Sequence, residues 1–174
     1  RKTKGALSFT WLAGSEVEGQ WDTRKNFSNQ EGEAGEITLD QEETVLGPGG
    51  FFQGQMAIGD ALHILGGVRL DQVRFRAKDR LLTETNPDDS GTRTMTATSP
   101  SLGMRIFLGR GFSLRGSAST FFQTPTTSEL ANRPDGAGGI NPGLDPQRGR
   151  TLEAGLEARL REKVHLEAVL FRTH

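Results

Sequence analysis

From Gly5 onward apolar side chains fall on every second residue: Leu7, Phe9, Trp11, Ala13 and Val17 alternate with Ser8, Thr10, Gly14, Glu16 and Glu18, with Leu12 the main exception. Successive side chains of a strand point to opposite faces, so a period of two describes a strand with one apolar side. The pattern returns at Phe52, Met56 and Ile58, then at Leu62, Ile64, Val68 and Leu70 with His63, Arg69 and Asp71 opposite. Leu102, Met104, Ile106 and Leu108 keep it, as do Phe112, Leu114, Gly116, Ala118 and Phe122. Leu152 to Leu160 and Val164 to Leu170 complete the series. Leu152, Leu156 and Leu160 also fit helical spacing, but the alternation is unbroken and Gly155 weakens a helix by about 1 kcal/mol relative to Ala. Two strands are the preferred reading.

The connections alternate in length. Long polar stretches at about 20–50, 79–92 and 124–150 are separated by tight turns at Gly59-Asp60, Gly109-Arg110-Gly111 and Arg161-Glu162-Lys163. This predicts an all-β, antiparallel up-and-down meander of about seven strands, elaborated at one end. Outer-membrane barrels pair short turns on one side with long loops on the other. Leu62 to Leu70 and Phe112 to Phe122 have the length of a tilted spanning strand, about 9 to 11 residues.

Mean hydropathy of -0.51 does not conflict with this, because lumen-facing residues dilute the lipid-facing half of every strand. No run approaches the roughly 18 apolar residues of a spanning helix. A net charge of -1 gives no basic stripe, so a nucleic-acid partner is not expected. The lack of cysteine removes disulfides, Cys-ligated metals and thiol chemistry. The charges respect the proposed faces: Arg69, Arg105, Arg115, Arg159 and Arg161 all lie opposite the apolar side, as lumenal residues would. Arg74, Arg76 and Lys78 break the parity of their strand and are expected beyond the membrane. The neighbouring strand changes parity at Ser99-Pro100, where a bulge would suit a residue without an N–H.

The order of several short motifs resembles the β-barrel of TonB-dependent outer-membrane receptors. They are Gly66-Gly67-Val68-Arg69-Leu70-Asp71, Ser99-Pro100-Ser101-Leu102-Gly103, Phe122-Gln123-Thr124-Pro125-Thr126-Thr127-Ser128-Glu129-Leu130, Asn141-Pro142-Gly143-Leu144-Asp145-Pro146-Gln147 and Leu152-Glu153-Ala154-Gly155-Leu156. The likeness runs from about Gly50 to the end. Departures are Gln123, where the family usually has arginine, and Asp145 and Gln147, where it has a basic residue and glutamate. The resemblance implies a cell outer-membrane location and energy-coupled import of a scarce small-molecule ligand, most characteristically a ferric siderophore. It also implies outer-membrane lipid, a plug domain of the same protein and the TonB complex as partners, with no cofactor. Nothing in the chain resembles the plug, and seven strands do not close a barrel whose edges must be satisfied in lipid. Residues 1–174 are therefore expected to be one part of a larger barrel. The alternatives are another outer-membrane barrel, enzyme or passive porin, or a soluble β-rich binding module.

Two sets of candidate residues follow. Gln123, Thr126, Glu129 and Asn141 belong to the longest loop, on the side from which ligand would arrive. Arg69, Asp71, Arg105, Arg115, Glu153, Glu157 and Arg159 are expected to line the lumen. No catalytic set is expected: Glu153 and Glu157 are about 13 Å apart along a strand, too wide for a glycosidase pair. No metal site is expected, because His63, His165 and His174 do not gather. The acidic run Glu31, Glu33, Glu36, Asp40, Glu42, Glu43 lacks a calcium-loop pattern. Asn86 to Gly91 reads as a turn, and Gly109-x-Gly111 with Gly116 lacks the phosphate-binding fingerprint.

Overall fold

A computed structural model describes residues 6–131, 139–160 and 164–174. It is one seven-stranded antiparallel sheet in sequence order, curved into an arc of barrel wall. The strands are β1 (Leu7–Gln30), β2 (Glu33–Ile58), β3 (Leu62–Asp79), β4 (Gly91–Gly109), β5 (Phe112–Gln123), β6 (Gln147–Leu160) and β7 (Val164–Thr173). A single helical turn, α1 (Thr127–Ala131), lies between β5 and β6. Both segments of the ambiguous C-terminal stretch are strands. The turns at Gly59 and at Gly109 to Gly111 use positive φ, as glycine readily allows. The turn expected at Arg161-Glu162-Lys163 lies outside the described residues.

Register fixes the tilt of the wall. Carried along the hydrogen-bonded rows, the turn centred on Asp60 falls opposite Leu108, two residues short of the turn centred on Arg110. That turn in its own right falls opposite Leu160, two residues short of the midpoint between paired Leu160 and Val164. If the turns share one level, a stagger of one residue per strand gives a tilt of about 35°, within the range of closed barrels.

The expected connection at about 20–50 is corrected by the structure. β1 and β2 stay paired from Leu7↔Ile58 to Gln30↔Glu33, and the reversal is confined to Glu31 and Gly32, both with positive φ. Two such residues make the tight hairpin turn whose twist matches its strands. Beyond Gln41↔Asp79 the hairpin continues above the β2–β3 ladder as a ribbon whose side chains are largely exposed on both faces. Its strands need no apolar side there, so the alternation fades while the pairing persists. Glu31, Glu33, Glu36 and Asp40 of the acidic run lie on this ribbon and Glu42 and Glu43 just below it, and the last three of the six are paired: Lys25 meets Asp40 at 3.3 Å, Arg80 meets Glu42, and Arg24 lies 3.9 Å from Glu43.

The bulge expected at Pro100 is also absent. β3 and β4 pair without a register shift from Leu62↔Ile106 to Ala77↔Gly91, with Val68 opposite Pro100. The proline is tolerated because β5 stops pairing there: the β4–β5 ladder runs only up to Ser101↔Ser119, so Pro100 is the first residue of a free edge. The parity change is thus one of composition, not of backbone. The inner face continues from Arg69 and Asp71 into Val73, Phe75 and Ala77, while the outer face passes from Leu70 to Gln72, Arg74, Arg76 and Lys78.

Candidate functional site

Within the apolar belt the two faces are chemically separate. Leu7, Phe9, Trp11, Phe52, Leu70, Leu102, Leu114, Leu156 and Leu166 stand exposed on the convex side. Among the described residues, every ionisable side chain of that belt lies on the concave side, including all seven positions expected to line the lumen.

The concave side carries two ion networks. In the first, Arg69 Nε donates to both Asp71 oxygens at 2.9 and 3.1 Å, and its Nη2 donates to Glu16 of β1. Arg69 reaches Glu16 by passing over β2 at Gly49, where a Cβ would lie 2.8 Å from Arg69 Nη2. In the second, near the short turns, Glu157 is only 7% exposed and gathers two arginines and a histidine. Arg105 pairs with it, Arg159 Nε donates to it at 2.9 Å, and His165 Nε2 lies 3.1 Å away. Arg105 Nε also donates to Ser113 Oγ at 3.2 Å. Arg115 lies beside Gly155 and bridges Glu153 at 3.3 Å and Glu167 at 2.6 Å. The carboxylates are thus committed to arginine partners, which suits a hydrated wall.

The long loop folds back onto the concave face above the belt. Leu130 of α1, 2% exposed, packs with Phe75 and Met95, and Val45, Val73, Phe122, Ile140 and Leu144 surround them. α1 starts with a capping box: Glu129 N–H donates to Thr126 Oγ1 at 3.2 Å, and Thr126 N–H donates to Glu129 Oε2 at 2.8 Å. The Thr126 amide first, and its hydroxyl second, hold the Glu129 carboxyl below its ordinary value. Asn141 is likewise engaged: its N–H donates to the Leu130 carbonyl at 2.6 Å, and its Oδ1 accepts from Gly143 N–H at 2.9 Å. Gln123 ends β5 opposite Gln147, with an exposed side chain. The structure therefore brings Thr126 and Glu129 together, leaves Gln123 open, and makes Asn141 a hinge of the loop's return.

The residues that hold this loop were not among the expected ones. Arg93 Nη1 donates to the Asn141 carbonyl at 3.0 Å and to that of Pro142, and Nη2 donates to Asp145 at 2.8 Å. Gln41, 1% exposed, donates to Glu43 at 2.6 Å and accepts from Gly139 N–H at 3.3 Å. Arg148 Nη2 donates to the Thr96 carbonyl at 2.7 Å, tying β6 to β4 where β5 has parted from it. Arg93 carried a signal: it is the one cation on an inner-face run with Met95 and Ala97, and a cation there needs a partner from elsewhere. Below the loop, a cleft of about 700 Å³ opens between Glu18, Gln20, Val45, Phe75 and Thr124 to Thr127. A second, of about 670 Å³, lies on the convex side, beside Pro48, Leu70, Gln72, Thr96, Thr98 and Arg148. The three histidines stay apart, and among the described residues no group of metal-ligating side chains forms.

An antiparallel meander with an apolar outside, a charged inside and loops at one end defines an arc of transmembrane β-barrel. Residues 2–174 match the family described as TonB dependent receptor-like, beta-barrel, and the chain belongs to that family, whose barrels are outer-membrane proteins. Two solved structures share the fold. Copper transporter OprC superposes with a TM-score of 0.74 at 18% identity, over 95% of this chain and 27% of its own. The siderophore receptor PiuA from Acinetobacter baumannii gives 0.64 at 15% identity, over 95% of this chain and 28% of its own. The chain thus spans little more than a quarter of the length of either.

Proposed function

We propose that this chain forms wall and loops of an outer-membrane receptor, not an enzyme, that imports a scarce small-molecule ligand, by its motifs a ferric siderophore. The observation that carries the reading is the separation of faces: lipid outside, paired charges inside, and a loop packed over the mouth of the inner surface. The charged wall suits contact with a plug domain of the same protein, and TonB acting on that plug would open the path. A ligand entering past the loop would rest in the cleft beside Thr124 to Thr127, and on this reading Gln123, Thr126, Glu129 and Asn141 border its path. The two structures that share the fold are named a copper transporter and a siderophore receptor, and both names concern metal acquisition.

The test is uptake by cells carrying the whole receptor. Radio-iron presented as ferric siderophores should enter only when both the receptor and TonB are present. Uptake of iron unchanged by deleting the receptor, across a hydroxamate, a catecholate and a carboxylate siderophore, would remove the siderophore reading. Recovery of the receptor in the soluble fraction would remove the membrane reading as well.

A further inference from the structure

The cleft beneath the long loop has a chemical bias. Val45, Val73 and Phe75 form its apolar wall, Thr124 to Thr127 its roof, and Glu18 and Gln20 stand on its β1 side. Among the described residues Glu18 is the one ionisable side chain of that lining, and it is exposed with neither an ion pair nor a hydrogen bond. The described arginines of the concave side around it are engaged elsewhere. Arg69 holds Asp71 and Glu16, Arg24 lies 3.9 Å from Glu43, and Arg93 holds the loop carbonyls and Asp145. Gln20 gives its amide N–H to Asp22, so its oxygen is what it can offer a ligand. The β1 side therefore presents acceptors and negative charge. The floor is Gly47, where a Cβ would meet Val73 Cγ2 at 3.9 Å and Glu18 Cβ at 4.0 Å, so the cleft is open down to the backbone there.

We propose that Glu18 selects the charge of the ligand at this cleft by receiving a protonated amine. An ammonium group supplies the N–H donors that a carboxylate and an amide oxygen accept, and the charge on both partners strengthens the bond. A polyanion would instead set like charge against Glu18, with no described arginine free to answer it. Three hydroxamate groups neutralise ferric iron, so a pendant ammonium makes their complex cationic, whereas three catecholates leave a polyanion. The class of ligand that the cleft admits is thus an amine-bearing ferric hydroxamate, its methylene chain lying against Val45, Val73 and Phe75. This inference rests on the import reading and narrows it.

The experiment uses the whole receptor and three ferric probes: a linear trihydroxamate with a terminal amine, the same molecule with that amine acetylated, and a tricatecholate. Equilibrium binding to the purified receptor and TonB-dependent uptake of radio-iron are both measured. The native receptor should bind the amine form about three- to fivefold more tightly than the acetylated form, as one partly exposed ion pair allows. Glu18→Gln should bind the two alike, whereas Glu33→Gln on the hairpin ribbon should keep the native ratio. Gly47→Leu, which fills the floor of the cleft, should weaken both trihydroxamates together. A heat-dependent gel shift reports on the folding of each variant. Equal binding of the amine and acetylated forms by the native receptor overturns the proposal whatever the variants do. So does a native ratio kept in Glu18→Gln or lost in Glu33→Gln, or undiminished binding in Gly47→Leu. Uptake of the tricatecholate alone overturns the charge assignment and leaves the import reading standing. No TonB-dependent uptake of any probe or of a carboxylate siderophore removes both.

Discussion

Gly49, paired across the sheet with Glu16 on one side and Asp71 on the other, lies so close beneath the Arg69 guanidinium that the glycine's missing side chain is the space through which Arg69 reaches Glu16. A Cβ at Gly49 would lie 2.8 Å from Arg69 Nη2 and 2.9 Å from Asp71 Oδ1. Gly49→Val is expected to break the three-strand tie and destabilise the barrel by about 1 to 3 kcal/mol, in the manner of overpacking. The check is the temperature at which the folded band converts to the unfolded one on a denaturing gel. Gly50→Ala, whose added carbon meets only Gly14 O at 3.7 Å, should convert near the native temperature.

Glu157 concentrates Arg105, Arg159 and His165 on one carboxylate. Glu157→Gln leaves the two arginines without their shared counter-charge and should cost on the order of 1 to 3 kcal/mol. Combining it with Arg105→Gln should recover part of the loss, with a coupling of roughly 0.5 to 3 kcal/mol in a double-mutant cycle. Strictly additive losses would show that the two side chains act independently.

Arg93 clamps the returning loop by two carbonyls and Asp145. Arg93→Gln should free the segment from Gly139 to Asp145 while leaving the sheet intact. Hydrogen exchange should rise about tenfold or more there, since loss of one or two bonds of about 1 kcal/mol each lowers the opening energy accordingly. Exchange in β3 and β4 should remain as in the native protein.

The capping box predicts a pH effect with a definite sign. The Glu129 carboxyl is held below its ordinary value of 4.5, so its contribution is complete above that value and is lost as pH falls through the lowered folded value. Protease cleavage of the loop should accelerate as pH drops from about 6 to about 3. Glu129→Gln keeps an acceptor but does not titrate, and its profile should be flatter; parallel profiles would assign the change to other carboxylates.

What the sequence disclosed followed from solvent contrast. Wherever one face meets lipid and the other water, side chains must alternate, and so β3 to β7, the tight turns at Gly59-Asp60 and Gly109 to Gly111 and the shared concave side of Arg69, Arg105, Arg115 and Arg159 were legible. Where water meets both faces the contrast vanishes, and the ribbon of β1 and β2 around Glu31 read as a loop. The partners of the inner-wall cations were hidden for another reason. Glu16 lies 53 residues from Arg69, and Asp145 lies 52 from Arg93, so only the register and the return of the loop bring them together. Thr126 and Glu129 were singled out by motif, but the local spacing of a helix cap accounts for their contact with each other.

The free ribbon gives the mouth of this wall a slanted rim. β1 and β2 continue past the last β2–β3 pair, Gln41↔Asp79, whereas β5 and β6 separate at Gln123↔Gln147 and send their connection inward. One side of the opening therefore stands as a tall backboard and the other as a low sill. Along this arc, then, the height of the wall falls from the first hairpin to the third, and the returning loop packs inside its lower end.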